Sequence, residues 1–195
     1  MYLDVLSEKQ GFGKAATGGA AGPVVIVNDY ASLKAALTSP APAWVTFPAG
    51  MTGDIVFPET LLWSSHKTLD GRGAKVNLRT ANHDKKLMSW NGIENVILLG
   101  VKMDDQYPNW SQDSEGSDLL NITNSKDFWV YLVSFKQARD GSIDMRGGAV
   151  NGTVSKCRVE KNYQAFNWTG DRLTCHSCYF TQVAARAIQI IGGLS

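Results

Sequence analysis

The chain has 195 residues, of which 44% are hydrophobic and 19% charged, and its formal net charge is +1. This is enough apolar material for one domain with a sizeable core, and the modest charge excludes a disordered or coiled-coil chain. The balanced charge argues against an electrostatically driven nucleic-acid binder, and no apolar run approaches the roughly 20 residues of a membrane-spanning helix. The N-terminus lacks the pattern of a secretory signal peptide, and three cysteines are too few for a disulfide scaffold.

One segment near the N-terminus is predicted to be helical. Asn28 or Asp29 could cap a helix over residues 30–37, and Pro40 stops it. The apolar side chains of this segment fall on one face, so we expect the helix to cover the end of the structure that follows. We therefore divide a single domain into residues 1–43, an N-terminal segment with a capping helix, and residues 44–195.

Residues 44–195 contain short predicted strands that repeat. From Leu120 the corresponding positions follow at steps of 23, 23 and 22 residues, and the preceding step of 32 fits a loop across Asp104 to Gly116. Alternation assigns two inward columns and one polar outward column. The first inward column is Met88, Leu120, Ile143, Phe166 and Ile188. The second is Trp90, Ile122, Met145, Trp168 and Ile190. The outward column is Ser89, Asn121, Asp144, Asn167 and Gln189.

A second strand in each unit keeps the same period. One of its inward columns is Met103, Phe135, Val159 and Phe180. The other is Val101, Val133, Cys157 and Cys178. Several stacked strands per repeat of about 22 residues predict a parallel β-solenoid, and the signature of the rival leucine-rich repeat is missing. The fold class is therefore all-β: a right-handed single-stranded parallel β-helix with a short N-terminal capping helix.

The cysteines follow from the same pattern. Cys157 and Cys178 are expected to stack inward on adjacent rungs as small hydrophobic residues. Alternation places Cys175 and Cys178 on opposite faces of one strand, so we do not expect metal binding there.

Three aspartates form the sharpest candidate site. Asp140 and Asp144 flank the start of one strand, and Asp118 precedes the equivalent strand one rung earlier. Three carboxylates this close could hold a hard cation such as Ca²⁺, although a turn cap and a solvated side chain would also explain Asp140 and Asp144. Arg186 lies two rungs beyond Asp140 on the same face, where it is either a solvated edge residue or part of the site. Aromatic residues that either line a sugar-binding groove or pack in loops are Tyr107, Trp110 and Tyr163.

Several motifs resemble the pectate and pectin lyase family. They are Gly11-Phe12-Gly13 with Thr17-Gly18-Gly19, Lys67-Thr68-Leu69-Asp70-Gly71-Arg72-Gly73, Glu94-Asn95-Val96-Ile97 and Asp140-Gly141-Ser142-Ile143-Asp144. The resemblance covers nearly the whole chain from Gly11 and implies the same right-handed parallel β-helix. It also implies an extracellular enzyme that cleaves an acidic polysaccharide such as polygalacturonate by Ca²⁺-assisted β-elimination.

The resemblance assigns roles to individual residues. Asp118, Asp140 and Asp144 correspond to calcium ligands and Arg186 to the arginine that serves as base. Candidate substrate-binding residues are Lys161, Gln164, Asn167 and Gln189. The chain departs from the family where a lysine is replaced at Gln164 or Ala165, where a second arginine becomes Ile191, and where an aspartate and a histidine become Tyr131 and Leu132.

Two other functions remain open at this point. The first is a carbohydrate-binding β-helix without catalysis, for example a virion tail adhesin. The second is a glycoside hydrolase that uses Asp140 and Asp144 as acid and base. Because Ile188 and Ile190 would face an open C-terminal end, we also expect a truncated chain, or a homo-oligomer or partner subunit that covers this end.

Overall fold

Strands account for most of the chain. A computed structural model describes residues 3–112 and 117–190, so the end of the predicted loop up to Gly116 and residues 191–195 lie outside the described residues. The strands are β1 Val24–Ile26, β2 Ala43–Thr46, β3 Thr52–Phe57, β4 Leu61–Leu62, β5 Lys67–Asp70, β6 Lys75–Thr80, β7 Met88–Asn91, β8 Glu94–Leu99, β9 Lys102–Asp104, β10 Leu120–Thr123, β11 Lys126–Tyr131, β12 Ser134–Lys136, β13 Gly141–Arg146, β14 Val150–Ser155, β15 Arg158–Trp168, β16 Asp171–His176 and β17 Tyr179–Ile190.

The strands form two parallel sheets that wrap into a coil with three faces. Face 1 is the seven-stranded sheet β1-β2-β5-β8-β11-β14-β16. The other sheet turns a corner, because β15 pairs with β12 through its first residues and with β13 through its last. Its part containing β3, β6, β9 and β12 is face 2, and its part containing β4, β7, β10 and β13 is face 3. The predicted parallel β-helix is confirmed.

Strand register reproduces the predicted columns. Leu120 lies beside Met88 on one rung and Ile143 on the next, and Phe166 continues the column to Ile188. The first four of these side chains are buried, since each one covers its neighbour on the next rung. Like residues therefore stack on like along the axis, which explains why the period was visible in the sequence.

The predicted helix caps the N-terminal end of the coil. Helix α1 spans Tyr30–Thr38, one residue longer than predicted, and Asp29 is its N-cap, whose side chain accepts a hydrogen bond from the Ser32 backbone amide. Leu33 and Leu37 are buried, and the helix packs against β2, β3 and β4. No helix in residues 3–112 and 117–190 has both the length and the apolar character needed to cross a membrane.

Residues 3–22, which we call the N-terminal strap, lie on the outer surface of face 1. Val5 and Ala16 pack in a small hydrophobic cluster with Trp44 and Trp129. The strap also reaches the sheet through Glu8, which accepts a hydrogen bond from the Tyr131 hydroxyl. Tyr131, where the resemblance implies an aspartate, is therefore covered by the strap.

The glycine-rich motif at the start of the chain belongs to this strap. The backbone amide of Gly13 donates to Thr153 Oγ1 at 2.9 Å, and that of Gly19 donates to Thr68 Oγ1 at 3.0 Å. A Cβ at Gly13 would lie 2.3 Å from the carbonyl oxygen of Phe128. Glycine is needed because the strap backbone lies directly against the backbone of the sheet.

The corner between faces 1 and 2 corrects one prediction about the cysteines. Cys175 belongs to β16, but Ser177 has a positive φ of 53° and turns the chain, so Cys178 lies beyond the corner. Both Cys175 and Cys178 pack against the core. The expectation that they lie on opposite faces of one strand is wrong, because strict alternation does not continue through a left-handed corner residue.

Candidate active site

A cleft of about 320 Å³ opens beside the first residues of the face 3 strands. Its charged and polar lining includes Arg146, the candidate groove residue Tyr163 and five of the predicted site residues. The predicted residues in the lining are Asp118, Asp140, Gln164, Asn167 and Arg186.

Strand register brings these residues together. Gly141 of β13 lies beside Gln164 of β15, and Gln164 lies beside Arg186 of β17. Asp118 precedes β10 by two residues and therefore aligns with Gly141 on the previous rung. Adjacent rungs are about 4.8 Å apart, so the cleft runs along the axis from an acidic end to a basic end.

Gly141 leaves room for the Asp118 carboxylate. A Cβ at position 141 would lie 2.5 Å from Asp118 Oδ1, closer than two such atoms can approach. The glycine after Asp140 therefore allows Asp118 to lean over the next rung toward Asp140 and Asp144.

Asp144 is a buried carboxylate with several hydrogen-bond donors around it. Arg146 Nε lies 2.8 Å from Asp144 Oδ1, Asn167 Nδ2 donates to Oδ1 at 3.2 Å, and Asn121 Nδ2 donates to Oδ2 at 3.4 Å. The hydrogen bond to Asp144 also raises the pKa of Arg146. The other amide atom of Asn167, Oδ1, is buried without a hydrogen-bond partner among the described residues.

The ionised form of Asp118 is strongly disfavoured in the cleft. Burial, followed by the negative charges of Asp144 and Asp140, raises its pKa from 3.8 to about 7. Asp140 differs because it accepts a hydrogen bond from Gln164 Nε2 at 3.0 Å. The acidic end of the cleft therefore favours either a proton or a cation.

Arg186 lies at the opposite end of the cleft. Its side chain is exposed, and it forms no ion pair with any residue in the described part of the chain. A guanidinium with this freedom can contact an anionic ligand in the cleft without first breaking a salt bridge.

Other predicted residues lie outside the cleft lining. Asp144, Lys161 and Gln189 are not among its lining residues, and Lys161 has a positive φ of 55°. Tyr107 stacks beside His83 and below the Arg139 guanidinium, which is a loop-packing role. Whether Lys161 and Gln189 bind substrate stays a prediction.

Arg146 was missed by the sequence reasoning. It follows Asp144 by two residues on the same strand, and alternation therefore places both side chains on the outer surface of face 3. That spacing was the available signal.

The chain resembles curated plant pectate lyases over most of its length. A probable pectate lyase from Solanum lycopersicum is 31% identical over 166 residues, which cover 75% of this chain and 41% of that protein. Pectate lyase 1 from Ambrosia artemisiifolia is 30% identical over 176 residues, covering 78% of this chain and 42% of that protein. The chain belongs to the pectate lyase family. No family model matches it.

Solved structures agree on the pectate lyase fold. The cedar pollen allergen Jun a 1 superposes with a TM-score of 0.73 at 21% identity, covering 87% of this chain and 54% of the allergen. A thermostable pectate lyase, PL 47, superposes with a TM-score of 0.69 at 14% identity, covering 93% of this chain and 68% of that protein. The chain spans about two fifths of the length of the curated pectate lyases it matches.

Proposed function

We propose that the chain forms part of a lyase that cleaves an acidic polysaccharide, with polygalacturonate as the model substrate, by β-elimination. The observation that carries this proposal is the cleft lined by Asp118 and Asp140 at one end and Arg186 at the other, along successive rungs. The relationship to pectate lyases supports the substrate class, and one structural neighbour is a pectate lyase in complex with trigalacturonate.

The donors in the cleft fit a calcium ion. In residues 3–112 and 117–190, no three side chains among His, Cys, Asp and Glu are already grouped so that they could hold a metal ion. However, burial, followed by the charges of Asp144 and Asp140, disfavours the ionised form of Asp118 and raises its pKa to about 7, and Asn167 Oδ1 is a buried oxygen without a partner among the described residues. We propose that Asp118, Asp140 and Asp144 hold Ca²⁺, which prefers oxygen ligands of this kind. One neighbour in the comparison is a pectate lyase determined with Ca²⁺.

Calcium in this position would withdraw electrons from a bound uronate carboxylate and acidify the adjacent carbon. We propose that Arg186 removes the proton from that carbon, and that the released electron pair forms the double bond as the glycosidic oxygen leaves with a proton from water. A free arginine side chain stays protonated far above neutral pH. We therefore expect cleavage to accelerate toward alkaline pH.

Arg146 supports this assignment as a second cation in the cleft. The family lysine and second arginine are absent from this chain, which removes two groups that would pair with substrate carboxylates. We propose that Arg146 exchanges Asp144 for a substrate carboxylate, because both acceptors offer the two oxygens that a guanidinium prefers. Gln164 supplies an amide in place of the lysine.

The test is an assay of unsaturated product from polygalacturonate in the presence of calcium. We expect Arg186→Ala to reduce the rate by roughly 100-fold or more, a chelator to abolish it, and Arg172→Ala, a matched change on face 1, to leave it unchanged. Absence of unsaturated product from neutral to alkaline pH would contradict the proposal.

A carbohydrate-binding protein without catalysis is the second candidate. It is favoured by the hydrogen bonds that already engage Asp140 with Gln164 and Asp144 with Arg146. Binding of oligogalacturonate without turnover would support this alternative. New reducing ends without the unsaturated product would instead indicate the glycoside hydrolase.

We further propose that the protein works outside the cell, where pectic polysaccharide is found. Coverage of the C-terminal end of the coil by a second copy or a partner also stays a prediction. It is motivated by Ile188 and Ile190, which are 40% and 75% exposed in this chain. Light scattering of the purified chain measures its oligomeric state directly.

A further inference from the structure

The three cysteines converge at the corner between faces 1 and 2, and none of them lines the acidic cleft. Cys157 is buried, Cys175 and Cys178 are half-buried, and all three thiols are free. Cys175 lies beside Val154 of the previous rung, and Cys178 lies beyond the corner at Ser177. The corner thus places two thiols of one turn next to a third from the turn before.

Cys157 and Cys178 occupy equivalent positions on successive rungs. Arg158 pairs in register with Tyr179, and the amide of Tyr179 donates to the carbonyl of Cys157 at 2.9 Å. Cys157 Sγ lies 3.4 Å from the Ser155 oxygen, and Cys178 Sγ lies 3.7 Å from the oxygen of His176, the equivalent residue.

The second carbonyl contact repeats in the same way. Cys157 Sγ is 3.6 Å from the Val130 oxygen, and Cys178 Sγ is 3.6 Å from the Val154 oxygen. Val130 and Val154 are themselves register partners. The two thiols therefore have the same orientation and stack about one rung spacing, roughly 4.8 Å, apart.

This separation suits a bridging cation better than a disulfide. Two metal–sulfur bonds of about 2.3 Å each span roughly 4.6 Å in a straight line. A disulfide requires Cβ atoms roughly 3.5–4.5 Å apart, which is shorter than the rung spacing that parallel strands impose. Thiolates also select soft cations over hard ones.

The electrostatics of the cluster agree with metal binding at Cys178. The neighbouring Cys157 and Cys175 thiols lower the pKa of Cys178, while burial raises the pKa of Cys157. The cluster therefore contains one sulfur that readily becomes a thiolate, the form that binds metals.

We propose that Cys157 and Cys178 form a two-coordinate site for a soft, thiophilic cation such as Ag⁺, Cu⁺ or Hg²⁺. Each positive charge displaces one thiol proton, so the complex remains neutral within the apolar core: one proton leaves for Ag⁺ and two leave for Hg²⁺. The site needs only two ligands, which agrees with the absence of any three-ligand cluster among the described residues. It is independent of the calcium site, whose ligands are all oxygens.

The test is titration of the purified, reduced chain with Ag⁺ and Hg²⁺, with proton release and native mass measured together. We expect one cation per chain, one proton released per Ag⁺ and two per Hg²⁺, and a higher melting temperature. Zn²⁺, which prefers four ligands, should not compete. The absence of tight binding, or binding only by the unfolded chain, would overturn the proposal.

Valine variants locate the ligands without opening a cavity, because valine already occupies equivalent positions at Val101, Val133 and Val154. Cys157→Val and Cys178→Val should each weaken binding by roughly 100-fold or more, whereas Cys175→Val should retain it. If Cys157→Val retained cation binding, the ligands would instead be Cys175 and Cys178 of a single turn. If all three variants lost binding equally, the site would have three ligands. Either result would overturn the two-coordinate pair, and the melting temperature of each metal-free variant verifies folding.

Discussion

At the scale of single residues, Asp118 is the least compensated charge in the cleft. Asp144 has Arg146 and two amides around it, and Asp140 has Gln164, whereas the neighbours that most affect Asp118 are those two aspartates. Its pKa is raised to about 7 first by burial and then by the charges of Asp144 and Asp140, so ionised Asp118 destabilises the metal-free protein at neutral pH and above.

We predict that Asp118→Asn stabilises the metal-free protein. A carboxyl group with a pKa raised from 3.8 to about 7 favours folding below its unfolded pKa and loses this contribution as pH rises through 7. The gain from the substitution should therefore be absent near pH 3.5 and grow until pH 8, where it reaches at most about 4 kcal/mol at 1.4 kcal/mol per pKa unit. Urea unfolding in a chelator, across this pH range, measures it.

The same variant should lose stabilisation by calcium, since it removes one of the proposed ligands. Asp171→Asn, an exposed change on face 1, is the control and should alter neither property. If Asp118→Asn were as destabilising at pH 8 as at pH 5, the interpretation of Asp118 as a repelled carboxylate would be wrong.

At the scale of elements, the N-terminal strap shows how an irregular segment can be as closely packed as a strand. It seals Trp44 and Trp129 on the outer surface of face 1, where a solvated sheet would otherwise expose them. Its backbone amides donate to threonine side chains of the sheet at Gly13 and Gly19. The close approach leaves no space for a Cβ.

We predict that Gly13→Ala displaces the strap. The added Cβ would meet the Phe128 carbonyl oxygen at 2.3 Å and the Thr153 amide at 2.7 Å, and backbone atoms in a sheet cannot move aside cheaply. We expect a loss of about 3 kcal/mol, together with a red shift of tryptophan fluorescence as Trp129 becomes exposed.

Lys14→Ala is the matched control, because Lys14 is the exposed neighbour of Gly13 in a short 3-10 helix, Phe12–Ala15, within the strap. It should leave stability and fluorescence unchanged. Normal stability of Gly13→Ala would show that the strap is not packed as described.

At the scale of the whole molecule, the coil is a linear stack in which each turn contacts its neighbours along the axis. A side chain in an inward column is therefore buried only when there is a turn on both sides of it. Ile122 is fully buried and Ile190 is 75% exposed, although both belong to the same column.

We predict that position along the stack decides the cost of the same substitution. Ile122→Ala should destabilise this chain by about 3 kcal/mol, since it leaves a cavity among packed side chains. Ile190→Ala should change stability by less than about 0.5 kcal/mol. Chemical unfolding of both variants measures the difference, and equal costs would mean that Ile190 is covered in solution, as a self-associating chain would require.

Much of this architecture was readable in the sequence because a parallel stack repeats its contacts once per turn. Leu120, Ile143 and Phe166 are apolar because each occupies the same inward position in its turn. The period, the three-column pattern and the capping helix were therefore all predicted. The register that aligns Asp118, Gln164 and Arg186 followed from that period as well.

The tertiary structure decided what the period does not encode. The corner at Ser177 turns Cys178 back toward Cys175 and Cys157, because a left-handed residue interrupts alternation. Asn121 and Asn167 donate to Asp144, and Gly141 admits the Asp118 carboxylate, because side chains from adjacent rungs lie within hydrogen-bonding reach. The sequence by itself therefore determined how the turns stack, whereas only the folded coil decided which side chains meet across turns and corners, since those contacts depend on distances of a few ångströms between residues about 20 positions apart.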